Sequence, residues 1–275
     1  MDFRLASKED RGLVESLWDY CFEHREDPFF QWYFNHFYQP ENVLIGFQDD
    51  EMACLTHLNP YTLSLRGKAI DTSYIVGLAT HPAARRGGIG GKLLTAALVE
   101  MKRRGHYVNI LMPSKAGFYQ PYGYELYCHQ WKETLPLEAL RPLTDRTVRY
   151  AFVNSSDQWP YLAAIYEATR KACQDTLCVM KKSWRSHIDA QLGEGNIAVC
   201  FDGDRPIGYA FYQLGQRPSS AVNSSIPAAK ARPAFSAICT TIVLKGKPFS
   251  GTKAFTTSLI ASIPMVNRGT KRCLS

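Results

Sequence analysis

The 275-residue sequence predicts an α/β fold in which a mixed central sheet is flanked by helices. Three observations predict it. Short apolar segments with strand-like patterning recur through the first 135 residues. One of them, SYIVGLAT (73–80), runs into a glycine-rich stretch, HPAARRGGIGGKLL (81–94), and an amphipathic helix. A second strand pair, in 196–214, repeats the chemistry of one in 42–58.

FRLAS (3–7) alternates as a short strand, and Ser7 followed by Asp10 makes a capping-box-like start for a helix through Leu13, Leu17 and Cys21. The aromatic segment PFFQWYFNHFY (28–38) comes next. NVLIGFQDDEMACLTHL (42–58) reads as two strands about an Asp49-Asp50 turn, and YTLSLRGKAIDTSYIVGLAT (61–80) as two more. SYIVGLAT is apolar nearly throughout, so it is expected at the centre of the sheet. Leu93, Leu94, Ala97, Leu98 and Met101 share one face of the following helix, which Gly105 stops. YVNILM (107–112) is the next strand, PSKAGFYQPYGY a turn, and ELYCHQWKETL (125–135) the last strand of this unit.

A second unit begins near Arg149. NIAVCFDGDRPIGYAFYQL (196–214) shares with the hairpin at 42–58 the initial Asn, a Phe and an acidic turn, and helical sequence precedes each. This predicts an internal duplication, with a chance match as the alternative. Past Gln216 the periodicity dissolves. The boundaries expected are therefore 1–145, a partial second unit at 146–216, and an irregular basic tail at 217–275. No acidic residue follows Asp204, yet ten of the 32 Lys and Arg do, so the net charge of +7 belongs to the tail. Two readings of the tail stand: a disordered basic segment, or sequence read out of its original frame.

The first residues, MDFRLASKEDRG, are charged, and nowhere do 18 apolar residues run uninterrupted. A cytoplasmic protein with no membrane partner is expected. The eight cysteines never form a CxxC pair and several lie in apolar runs, which favours buried free thiols over disulfides or zinc.

Two nucleotide motifs fail on position in the glycine-rich stretch. A P-loop would need glycine where Arg86 stands and Ser or Thr where Leu93 stands, and a dinucleotide turn would need its third glycine at Leu93. What fits is Arg85-x-x-Gly88-x-Gly90 between a buried strand and a helix. Bare backbone there admits a bulky anion, and the first-turn N–H groups converge on it. A diphosphate suits that geometry; a turn with glycines for packing and arginines for solubility fits the same residues.

This run follows an apolar strand ending in His81-Pro82 and precedes a helix, a strand and the turn Gly117-Phe-Tyr-x-x-Tyr-Gly-Tyr124. The succession resembles the GNAT acetyltransferase superfamily. AGFYQPYGYELY and the tandem layout are most similar to the enhanced intracellular survival (Eis) type of aminoglycoside and lysine N-acetyltransferases. The resemblance is strong over 1–135, moderate to 214 and absent beyond, and the sterol-carrier-like C-terminal domain of that type has no counterpart in this sequence.

The resemblance implies acetyl-CoA as co-substrate, no metal, and direct attack of a primary amine of an aminoglycoside, polyamine or lysine-like acceptor on the thioester. Carried over by position, Leu78, Ala79 and Thr80 would meet the pantetheine arm and thioester. Arg85, Arg86, Gly87, Gly88, Ile89 and Gly90 would cradle the pyrophosphate, with Ser114 and Lys115 as a further contact. Tyr119 matches the general acid, since a phenol near pKa 10 can protonate a thiolate. Glu26, Asp27 and Trp32 lie where the acceptor cleft begins, and carboxylates beside aromatic rings suit a cationic amine. The central strand carries no carboxylate past Asp71, so no base is assigned, and neither is the carboxylate of Ser275. A homo-oligomer is compatible with this class. The alternatives are an acetyl-CoA-binding fragment without turnover and, more weakly, nucleic-acid binding through the basic tail.

Overall fold

The first turn of the chain shows how local hydrogen bonding decides an element boundary. In the computed structural model, which describes residues 1–126, 131–136, 148–172, 175–178, 181–212, 221–225 and 254–259, the first helix begins at Arg11 with Asp10 as N-cap. Asp10 does not cap with its side chain. Its carboxylate instead accepts the Ser7 N–H at 2.7 Å, the Ser7 hydroxyl at 2.8 Å and both terminal nitrogens of Arg4. The backward Asp10-to-Ser7 half of the expected capping box is present, and it fastens the first strand to the helix. The Arg4 hydrogen bonds hold the Asp10 carboxyl well below the usual range, against the opposing effect of burial.

The elements then run β1 (Asp2–Leu5), α1 (Arg11–Cys21), α2 (Pro28–His36), β2 (Val43–Gln48), β3 (Glu51–Leu65), β4 (Lys68–Thr80), α3 (Ile89–Arg103), β5 (Asn109–Leu111), α4 (Ala116–Tyr119) and β6 (Trp131–Pro136). After them come β7 (Arg149–Val153), α5 (Trp159–Ala172), β8 (Asp175–Cys178), α6 (Lys181–Glu194), β9 (Asn196–Asp202), β10 (Arg205–Tyr212), β11 (Ala221–Ser225) and β12 (Ala254–Leu259). Residues 1–127 with 175–194 form one unit, and residues 128–174 with 195–275 a second.

In the first unit the strands lie in the order β1-β2-β3-β4-β5, antiparallel except for the β4–β5 pair, and β8 also pairs with β3. Two hairpins are set by successive positive-φ residues, Asp49 (52°) with Asp50 (62°) and Arg66 (48°) with Gly67 (77°), as tight antiparallel turns require. The two strands expected on either side of Pro60 are one continuous 15-residue strand, β3. Pro60 is tolerated because it falls in a gap: β2 pairs with β3 only as far as His57, and β8 takes over from Thr62. No ladder bond on that edge needs the missing N–H.

The sheet is covered on its two faces by separate clusters. Val14, Leu17 and Trp18 of α1 and Phe30, Tyr33 and Phe34 of α2 pack with Val43, Ile45 and Leu55. Leu93, Leu94, Ala97 and Met101 of α3 pack with Leu44, Leu58 and Ile75, the helix face expected from the apolar spacing apart from Leu98, which lies at its margin. The helix α6 completes the first cluster's side: it packs on α2, and the Trp32 indole N–H donates to the Ser186 carbonyl at 2.7 Å.

The second unit has a six-stranded sheet in the order β6-β12-β11-β10-β9-β7, with α5 packed on β10 through the side where Leu162 and Ile165 are buried. In chain order β7, α5, α6, β9 and β10 follow the succession of β1, α1, α2, β2 and β3, although α6 belongs to the first unit, and in each set the first strand pairs antiparallel with the first strand of the hairpin. Both hairpins carry a bulge, at Gly46/Phe47 and at Pro206/Gly208. Two features differ from the sequence expectation. Of the strand expected at 125–135, Trp131–Leu135 lie in β6, which belongs to this second sheet, and residues 127–130 lie outside the described set. Within the stretch expected to be irregular, β11 and β12 form a parallel pair; the rest of 217–275 lies outside the described residues. The described cysteines 21, 54 and 200 are free thiols. Among the described residues no helix is long and apolar enough to cross a membrane.

Because Ile188 of α6 is fully buried, Ile188→Ala should lower stability by ~2–5 kcal/mol, read as a shift of the urea midpoint. An unchanged midpoint would mean that α6 is not part of the first unit's cooperative core.

Candidate active site

The central strand is kinked where a glycine interrupts an apolar run. Gly77 has φ of +61°, and the β3–β4 register slips there: Leu55 faces Ala79 while His57 faces Val76. Three residues of β4 thus span two of β3, a bulge that turns the strand end outward. A Cβ at Gly77 would lie 2.4 Å from the Trp18 ring, and that ring is 2% exposed. Only glycine satisfies both the dihedral and the contact.

Beyond the kink the strand end loses its other neighbour. The last β4–β5 pair is Ile75 with Leu111, so the edge of β4 from Val76 to Thr80 that faces away from β3 has no strand partner among the described residues. Exposed backbone N–H and C=O groups there require partners, from solvent or from a ligand with amides of its own. Leu78 and Thr80 are half-buried and Ala79 is buried, so this segment offers backbone rather than side chains.

The glycine-rich turn follows at the same end. Arg86 and Gly88 both adopt φ of +70°, and Gly88 is the left-handed N-cap of α3. Arg85, Arg86, Gly87 and Gly88 are exposed, and a Cβ at Gly88 would meet nothing within 4 Å. The cradle is therefore open at the point where the first-turn N–H groups of α3 point outward. Ile89 contributes only its backbone, its side chain being part of the core. Arg85 is folded back, donating to the Thr80 carbonyl at 3.1 Å with a second nitrogen 3.9 Å from the Cys21 sulfur.

Gly90 and Gly91 serve a different purpose. A Cβ on Gly90 would lie 3.5 Å from Phe118 and 3.8 Å from the Thr80 hydroxyl, and one on Gly91 would fall 2.1 Å from the Tyr122 hydroxyl. They let the aromatic turn 118–122 settle on the first turn of α3. A shallow groove of about 510 Å³ runs beside it, lined by Phe3, Gly88, Gly91, Lys92, Thr95, Ala96 and Tyr122. Tyr119 is held between Phe118 and Tyr124, with ring centroids 5.0 and 5.7 Å away, and Tyr124 in turn donates to Asn109. Burial raises the Tyr119 phenol above its ordinary pKa, which keeps it protonated and able to donate. Ser114 and Lys115 are exposed on the loop between β5 and α4. The structure thus places Leu78–Thr80 and Arg85–Gly90 in succession at the end of β4, with Thr80 and the Phe118 neighbour of Tyr119 close to Gly90.

Glu26, Asp27 and Trp32 are not gathered at this point. Glu26 is exposed, the Asp27 carboxylate accepts the His24 N–H at 2.8 Å, and Trp32 is tied to α6. On the α1–α2 side it is Trp18 that covers the kink, with its indole N–H donating to Glu23 at 2.9 Å. Glu23, Trp18 and Gly77 are not among the site residues expected from the sequence. A glycine inside an otherwise apolar strand was the available signal.

Beneath Trp18 lies a buried polar group. Tyr33 stacks on Trp18 with centroids 4.9 Å apart, its hydroxyl lies 2.8 Å from His57 Nδ1, and Asn59 donates to that hydroxyl at 3.0 Å. Burial lowers the His57 pKa to about 3.

Residues 2–127 match the family model described as an acetyltransferase (GNAT) domain. Among solved structures, a conserved protein of unknown function and probable N-acyltransferase from Enterococcus faecalis V583 is similar with a TM-score of 0.75 at 16% identity, over 94% of this chain and 65% of that one. A GCN5-related N-acetyltransferase from Anabaena variabilis ATCC 29413 is similar with a TM-score of 0.75 at 17% identity, over 95% and 66%. Eis1 from Mycobacterium abscessus gives 0.62 at 17% identity, over 94% and 65%. These are likenesses of fold, and the chain spans about two thirds of the length of each of the three. No curated protein sequence matches significantly.

Two outcomes follow from this geometry. Gly77→Ala should cost ~2–5 kcal/mol, the sum of a left-handed dihedral imposed on alanine and overpacking against a ring that cannot move, measured by urea unfolding. For His57, a folded pKa of about 3 lies below the unfolded value of 6.5, so the folded state binds the proton less readily. Its contribution is fully present above pH 6.5 and is lost progressively as pH falls toward 3. The urea midpoint should decline over that window, and the decline should shrink in His57→Gln.

Proposed function

We propose, on the premise that residues 2–127 belong to the acetyltransferase (GNAT) domain family, that the chain is an acetyl-CoA-dependent N-acetyltransferase of a primary amine. The observation that carries it is the succession, at one end of β4, of a strand edge without a partner among the described residues and an open helix N-terminus, followed after β5 by the turn that holds the protonated Tyr119 phenol. The names of the similar structures, a probable N-acyltransferase and a GCN5-related N-acetyltransferase, support the same chemistry.

The residues fit acetyl-CoA by type. The backbone of Leu78, Ala79 and Thr80 would pair with the amides of the pantetheine arm. Gly87 and Gly88, together with the amides of Ile89 and Gly90, would receive the pyrophosphate at the positive end of α3, with Arg86 adding charge. Arg85 would swing out from Thr80 to join it, and Ser114 and Lys115 would flank the arm from the β5 side. Acetyl-CoA supplies the activated acetyl group. A backbone N–H at the bulge polarises the thioester carbonyl, and Tyr119 gives its proton to the departing sulfur. The acceptor is an aminoglycoside, polyamine or lysine-like amine, and the expected setting is cytoplasmic.

Thiol release from acetyl-CoA with a panel of such amines tests the proposal. Tyr119→Phe should reduce kcat by at least ~100-fold and leave acetyl-CoA binding close to wild type. Acetyl-CoA binding without release for every amine would identify a binding protein without turnover.

A further inference from the structure

The transfer also requires a group to take the acceptor's proton, and β4 carries no carboxylate past Asp71. We infer that Glu23 is the general base and Trp18 its positioning residue; the inference rests on the acetyl-transfer function proposed for this site. The indole is rigid and is fixed at both ends. One edge of its six-membered ring lies against Gly77, at the kink of β4, and its N–H donates to Glu23 Oε2 at 2.9 Å. Glu23 Oε1 has no hydrogen-bond partner among the described residues, and the side chain is half-buried.

The neighbouring contacts place the end of α1 beside the end of β4. Tyr20 lies 6.2 Å from His81, centroid to centroid, and Cys21 contacts Arg85. Of the other carboxylates nearby, Glu26 is exposed, and three are engaged elsewhere. Glu15 pairs with Arg11 and Arg25, Asp19 accepts the Arg25 N–H, and Asp27 accepts the His24 N–H. Glu23 is the one whose partner is the ring that fills the kink.

An ionised carboxylate at neutral pH can take a proton from an ammonium group brought against it. Glu23 removes one proton from the acceptor ammonium and passes it to solvent. The freed nitrogen lone pair forms the C–N bond to the thioester carbon, and the C–S bond breaks. Tyr119 protonates the departing sulfur, and the second proton lost from nitrogen restores the phenol. The products are the amide, the free thiol and one proton.

The test is the pH dependence of kcat and KM between pH 6 and 10, with acetyl-CoA and spermidine or an aminoglycoside, in the full chain and in Glu23→Gln, Glu23→Asp and Trp18→Phe. Glu23→Gln should lower kcat about 100-fold at pH 7, keep KM for acetyl-CoA within about twofold, and regain rate as rising pH deprotonates the amine in solution. Glu23→Asp should recover part of the loss. Trp18→Phe keeps a ring on Gly77 but removes the N–H, and should lose about tenfold in kcat with the same recovery of rate at high pH. The titratable neighbours Asp19, Cys21, His24, Glu26, Asp27 and His81, and the charges of Arg25 and Arg85, remain in all variants, so a loss of kcat that follows Glu23 belongs to Glu23. An unchanged kcat profile in Glu23→Gln, or an effect confined to the amine KM at every pH, overturns the inference while leaving the acetyl-transfer function standing. No thiol release by the wild-type chain with any amine overturns that function, and this inference with it.

Discussion

The contact between Trp18 and Gly77 is the constraint on which the rest of the site depends. The ring occupies the space a side chain would need at the middle of the central strand, and the strand bulges at that point. Because β4 continues past its bulge while β5 ends at Leu111, an edge of backbone is left without a strand partner among the described residues. The same ring is buried on Tyr33, which is held by His57 and Asn59. A close-packed polar and aromatic layer beneath a strand transmits any change of volume to it, so the kink is supported from below as well as from the side.

The glycines of the turn divide into two physical roles. Gly88 provides a left-handed dihedral in open space, leaving the end of α3 bare. Gly90 and Gly91 instead accommodate Thr80, Phe118 and Tyr122. One role leaves the helix end exposed, and the other makes room for the aromatic turn. A single glycine-rich stretch therefore sets both the open end of α3 and the seat of the turn that follows β5.

The architecture repeats a simple plan. A strand, helical sequence and a hairpin occur in both units with the same pairing order. The first unit is completed by β8 and α6, which arrive far later in the chain and bind the free part of β3 and the surface of α2. This long-range closure gives the later half of β3 a second partner and gives the Trp32 indole an acceptor in the Ser186 carbonyl.

The sequence by itself determined the fold class, the hairpin turn at Asp49-Asp50, the buried face of α3 and the glycine-rich stretch between β4 and that helix. Each of these is written in local periodicity, turn chemistry or a short motif, which neighbouring residues specify among themselves. Only the tertiary structure decided that β3 runs through Pro60, that residues 175–194 belong with the first unit, that Gly77 is a kink filled by Trp18, and that Glu23 rather than Glu26 or Asp27 is tied to it. Those outcomes depend on which distant surfaces come into contact. A ring 59 residues away can dictate the shape of a strand, and no pattern within the strand records which ring it is.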